Sequence, residues 1–97
     1  MFQVTAQRIR GGEHASLPGR LFSGYLLSVP EVGNTLVIFR ESDDHRFIST
    51  EILRVMGHDA CLYVETENST YRLQIYGRVV YEGREQALEH VDIEAIL

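Results

Sequence analysis

The chain has 97 residues, 44% hydrophobic and 24% charged, with a formal net charge of −5. That length fits one domain with its own core and excludes a two-domain enzyme. A globally basic nucleic-acid footprint is absent. No apolar run approaches the roughly 20 residues of a membrane helix, and a lone cysteine, Cys61, excludes an internal disulfide or a multi-Cys metal site.

The first residues, MFQVTAQRIRGG, lack the basic start, long apolar middle and small-residue cleavage site of a signal peptide. With one unpaired thiol, this leads to the expectation of a cytoplasmic protein. The charge is unevenly placed: Glu82, Glu85, Glu89, Asp92 and Glu94 stand against Arg84 alone in the C-terminal stretch. All nine basic residues are Arg. Genomic base composition accounts for that, as does selection for planar, bidentate or stacking contacts.

In chain order, Phe2, Val4 and Ala6 alternate with Gln3, Thr5 and Gln7, the pattern of a half-buried strand that Arg8–Arg10 can continue. Residues 11–19 (GGEHASLPG) read as a loop. Residues 20–29 (RLFSGYLLSV) predict a second strand, with Leu21, Tyr25, Leu27 and Val29 on one side and Gly24 marking a bulge or sharp bend. Pro30–Gly33 is a turn. Residues 35–40 (TLVIFR) are nearly continuous β-formers, which predicts a strand covered on both faces. Residues 41–45 form an acidic loop, and residues 46–49 return as the partner strand. Residues 50–56 suit a bent strand better than a helical turn, with Gly57-His58-Asp59 as the next connection.

The stretch 60–75, ACLYVETENSTYRLQI, carries the strongest pattern. With Glu67 and Asn68 central in a tight turn, Thr66 faces Ser69, Glu65 faces Thr70, Val64 faces Tyr71, Leu62 faces Leu73, and Ala60 faces Ile75. Directly opposed residues point to the same side. Ala60, Leu62, Val64, Tyr71, Leu73 and Ile75 then share an apolar face, and Cys61, Tyr63, Glu65, Thr70, Arg72 and Gln74 share the other. A one-residue slip would set apolar against polar, so the register is well specified. Asn68 tolerates the positive φ that two-residue hairpin turns need.

Residues 76–81 extend this strand, with a bulge expected at Gly77. Residues 83–96 predict a helix, because Ala87, Leu88, Val91 and Ala95 fall on one stripe. Ile93 falls off it, and 91–97 also alternates well enough for a strand. The whole chain, 1–97, therefore reads as one mainly β domain. It is a small antiparallel barrel or sandwich of six to seven strands over 2–81, with a C-terminal amphipathic helix over 83–96 capping an open end or edge. In-strand glycines favour the barrel.

Catalytic patterns are weak. His14, His45, His58 and His90 lack metal-ligand spacing. Asp43-Asp44-His45 reads as a solvated hairpin tip. Cys61 with His58 and Asp59 could form a thiol nucleophile with a base, but catalytic partners usually come from separate segments. No nucleophile elbow or phosphate loop is present, and Glu65 and Glu67 flank a turn with no sign of burial. The expectation is a protein that is not an enzyme and needs no metal or cofactor.

The outer side of the hairpin has more content. Tyr63, Arg72, Gln74 and Tyr76 lie there, with Arg78 extending the set. Aromatic and Arg groups on a sheet face serve protein interfaces and single-stranded nucleic acid. A third reading is a second buried layer beneath the helix. The acidic C-terminal face is a second surface, solubilising or able to dock a basic partner.

The rhythm Gly-Tyr-Leu-Leu-Ser-Val-Pro-Glu-Val-Gly over 24–33, followed by a β-rich run, resembles small barrels such as the second domain of translation GTPases. The resemblance rests on glycine and turn placement; it implies a barrel and carries over no functional residues. The Arg-rich and Asp-x-Ser-x-x-Gly patterns of cyclic-dinucleotide-binding PilZ barrels are absent. The function expected is a non-enzymatic interaction module that binds a protein partner or its own copy, as an accessory, regulatory or inhibitory factor. The alternative is a single-stranded nucleic-acid-binding barrel using the same Tyr and Arg face.

Overall fold

The computed structural model describes residues 1–11, 21–40 and 45–97. Most of the loop expected over 11–19, and residues 41–44 of the acidic loop, lie outside the described residues, and with them His14, Asp43 and Asp44. The elements are β1 (Phe2–Gly11), β2 (Phe22–Leu26), β3 (Thr35–Arg40), β4 (Arg46–His58), β5 (Cys61–Thr66), β6 (Ser69–Glu82), β7 (Glu85–Glu89) and a single helical turn, α1 (Ile93–Ile96). Each strand pairs antiparallel with the next, and β1 also pairs with β6. Strands β1 to β6 thus close a barrel, as the strand rhythm and glycines predict, and β7 extends β6 beyond it.

Alternation explains the core. Val4, Leu26, Leu36, Ile38, Ile52, Leu62, Val64 and Leu73 point inward and are almost wholly buried. Each such side chain contributes about 1.5–3 kcal/mol by leaving water. Cross-strand pairs contribute only about 0.2–1 kcal/mol each, so the inward stripe carries the fold. A barrel has one interior, and β3 therefore has one buried face: Leu36 and Ile38 go in, while Val37 and Phe39 face out, half-buried. That corrects the expectation that both faces of this strand are covered.

The hairpin register predicted for β5 and β6 is observed: Leu62 opposite Leu73, Tyr63 opposite Arg72, Val64 opposite Tyr71 and Glu65 opposite Thr70. Its two ends differ from expectation. Thr66 and Ser69 pair outward, with Ile52 and Gly11, and the Thr66 hydroxyl donates to the Ser69 carbonyl at 3.3 Å. The reversal is therefore wider than two residues, and neither Glu67 nor Asn68 has positive φ. The two-residue turn with positive φ lies between β4 and β5, where the connection is Asp59-Ala60 and not the expected Gly57-His58-Asp59. There Asp59 (φ 49°) and Ala60 (φ 62°) are the two left-handed residues of a two-residue loop, so Ala60 leaves the ladder and does not face Ile75.

Four irregularities bend the strands enough to close the barrel. Ile9, Leu53 and Tyr76 are each an extra residue in one strand, and each points outward. The bulge expected at Gly77 thus falls on its neighbour Tyr76. At the fourth, Leu36 on β3 opposes Ser49 and Thr50 on β4. There the Leu36 N–H donates to Ser49 Oγ at 2.8 Å, and the Ser49 hydroxyl donates to the Thr50 carbonyl at 2.6 Å. Strand β2 is shorter than its pattern, with Leu21 and Leu27 exposed beyond its ends. Gly24 stays in register with β1 and is not a bulge. It is needed because a Cβ there would sit 2.0 Å from the Phe39 carbonyl oxygen. The turn before β3 sits one residue later than predicted, with Asn34 N–H donating to Glu31 O at 3.2 Å.

The helix expected over 83–96 is not formed. Gly83 (φ 65°) and Arg84 make a two-residue turn, and β7 returns along β6 with Leu88 opposite Val79 and Ala87 opposite Val80. The free edge of the long β6 supplies backbone partners that outweigh a weak helical stripe. Among the described residues only Ile93–Ile96 is helical, capped by Asp92, whose Oδ1 accepts the Glu94 N–H at 3.0 Å. Ile93 is buried and joins the core, with Val91 and Ile96 packed against it. The capping role foreseen for a long helix therefore falls to one turn. Among the described residues no helix is long and apolar enough to cross a membrane.

Candidate functional site

The outer face of β5, β6 and β1 brings the expected residues together. One row across the strands runs Met56, Tyr63, Arg72, Gln7, and the next runs His58, Cys61, Gln74, Thr5. Tyr76 follows on its bulge beside Gln3 and Gly77. Tyr63 is half-buried between its neighbours; Arg72, Gln74 and Tyr76 are exposed. The second-layer reading fails here, because the chain after Gly83 forms β7 and one short turn that packs against the core.

Two hydrogen bonds fix this face. Arg72 Nη2 donates to Gln7 Oε1 at 3.0 Å, and Tyr76 Oη lies 3.2 Å from Thr5 Oγ1. Both join β6 to β1, so the strand pair that closes the barrel also positions the two long side chains. Arg72 is the one Arg in these rows; the adjoining row of the same face, Arg54, Glu65, Thr70 and Arg10, holds the nearest carboxylate, set opposite Arg54. Arg78, expected at the edge, has its guanidinium 5.5 Å from the centre of the Phe2 ring.

The remaining described candidates lie at or near turns and loops. His58 opposes Cys61 across the Asp59-Ala60 turn, but its Nε2 pairs with Asp59 Oδ2 at 3.1 Å in solvent. Among the described residues, no three His, Cys, Asp or Glu side chains gather as a metal site. Glu65 opposes Arg54, and Glu67 is exposed at the loop.

Sequence reasoning missed the β1 contribution. The polar set Gln3, Thr5 and Gln7 was legible as one side of a strand, but not its placement beside β6. It also missed the opposite wall, where Val37, Phe39, Ile48 and Leu53 lie on the outer side of β3 and β4. At the open end near Phe22, an aromatic series forms inside the barrel: Phe22 to Phe47 at 6.1 Å and Phe47 to Tyr71 at 5.2 Å. Arg40 lies 4.5 Å from the Phe22 ring centre. No family model, curated protein or solved structure matches this chain.

Proposed function

We propose that this chain is a non-enzymatic protein-interaction module of the cytosol. It acts as an accessory, regulatory or inhibitory factor and presents the outer face of β5, β6 and β1 to a partner protein. The observation that carries the reading is the pair of rows around Tyr63 and Arg72, with Tyr76 beyond them. They combine Tyr, Met, Gln and a single Arg held by Gln7, and the nearest carboxylate, Glu65, stands one row away opposite Arg54. Protein interfaces enrich Tyr, Met and Arg at their centres and deplete Asp, Glu and Lys. Tyr and Arg also dominate the few residues that carry binding energy. A pre-positioned Arg72 loses less side-chain freedom on binding, which favours affinity.

The test is the double variant Tyr63→Ala/Arg72→Ala. Its circular dichroism and melting should stay close to wild type, because neither side chain belongs to the core. Affinity capture followed by mass spectrometry should lose the specific partner held by the wild-type chain. Unchanged capture by the folded double variant overturns the reading. Short single-stranded RNA or DNA is the competing ligand for the same face. It predicts a fluorescence-anisotropy response that falls steeply with added salt, against which the net charge of −5 weighs.

A further inference from the structure

We propose that the opposite wall of the barrel, the outer face of β3 and β4, is a self-association surface that pairs with a second copy of this chain about a twofold axis. This surface is separate from the Tyr63 and Arg72 face.

The wall is apolar. Leu36, Ile38 and Ile52 point inward and are buried, so their neighbours Val37, Phe39, Ile48 and Leu53 point out. Ile48 is 56% exposed and Leu53 54%. Leu53 is held outward by its bulge, which places an isoleucine and a leucine in water on one strand. Ile48 with the half-buried Val37 and Phe39 forms the apolar centre, and Leu53 lies beyond Glu51 on the same strand; an apolar patch marks an interaction site more often than isolated exposed residues do.

The charges at its two ends identify the occupant. Three rows of outward pairs cross the wall: Phe39 with Arg46, Val37 with Ile48, and Thr35 with Glu51. The apolar row lies midway between an exposed Arg and an exposed Glu, both on β4. Consider a twofold axis running across the strands at the Val37–Ile48 row. It lays β4 over β4 of the second copy with the direction reversed. Ile48 then meets Ile48, and Arg46 of each copy meets Glu51 of the other. Two symmetric ion pairs flank one apolar centre, the self-complementary pattern of an isologous interface. An axis along the strands would instead set like charges together, so the charges select one orientation. Arg46 already lies over the Phe39 ring, its guanidinium 5.9 Å from the centre, at the rim where the pair forms. Face-to-face sheets pack with their strands roughly 30° apart, which this arrangement accommodates.

Sedimentation velocity of the full chain over a concentration series tests the proposal. Wild type is expected to show a monomer–dimer equilibrium, and Ile48→Asp to sediment as a monomer with an unchanged circular dichroism spectrum. Arg46→Glu and Glu51→Arg should each weaken dimerisation roughly tenfold at low salt. Combining the two reversals should restore it, because the pairs re-form with exchanged sign. The proposal is overturned by a wild-type chain that stays monomeric throughout, by a dimer that survives Ile48→Asp, or by a double reversal no tighter than the singles.

Discussion

The barrel and the β6–β7 ribbon use the same local rules and end in opposite states. In β5 every second residue is buried, with Leu62 and Val64 fully shielded. In β7 every residue is exposed, although its ladder to β6 is regular. Val79 is buried near the base of the ribbon, while Leu88 and Tyr81 on the same side stay half or more exposed. Glu82 faces Glu85 at the ribbon's tip, a like-charge pair that disfavours it. Backbone pairing makes a strand, and a second layer makes it stable; the ribbon has the first without the second.

Substitutions at three positions test that contrast. Leu73→Ala removes a fully buried side chain from the barrel and should cost about 2–5 kcal/mol. Equilibrium denaturation by urea measures it, and a cost below about 1 kcal/mol would mean the interior is not tightly packed. Ser49→Ala should cost about 1–3 kcal/mol, because the Leu36 N–H at the fourth irregularity then loses its acceptor in a buried setting. Ser49→Thr, which keeps the hydroxyl, should recover part of that loss. Tyr81→Ser on the ribbon should change stability by no more than about 0.5 kcal/mol. Amide exchange sharpens the comparison: β7 amides should exchange through local opening, while the Leu62 and Leu73 amides should need global unfolding.

Much of the barrel was legible because its signal is short-range. The alternation of Phe2, Val4 and Ala6, and the matched halves of 60–75, need only period two and one turn to read. The helix over 83–96 misled because a few apolar residues at helical spacing fit a ribbon equally well. What decided the matter was the overhang of β6, a property of the assembled sheet. The β5–β6 reversal lies at Glu67 and Asn68 as expected, but its form differs for a related reason. Asn68 advertises positive φ, yet Thr66 and Ser69 are drawn to flanking strands, and the strained pair is Asp59 and Ala60. The candidate face was half legible: Tyr63 opposite Arg72 follows from the hairpin alone. Gln7 beside Arg72 follows only from closure, which joins strands far apart in sequence.

That junction has a kinetic consequence. The hydrogen bond between Thr5 and Tyr76 links residues 71 apart, whereas the strands from β3 to β6 meet their neighbours through turns and short loops. Entropy lost in joining distant segments must be met before their contacts form. The β3–β6 meander should therefore assemble early, with β1 docking late along β6. Substitutions on the inner side of β1, such as Val4→Ala, should accelerate unfolding and leave the refolding rate nearly unchanged. The face that carries Arg72 and Tyr76 would then be completed only in the last step of folding, so a chain stalled before that step would be compact yet unable to bind.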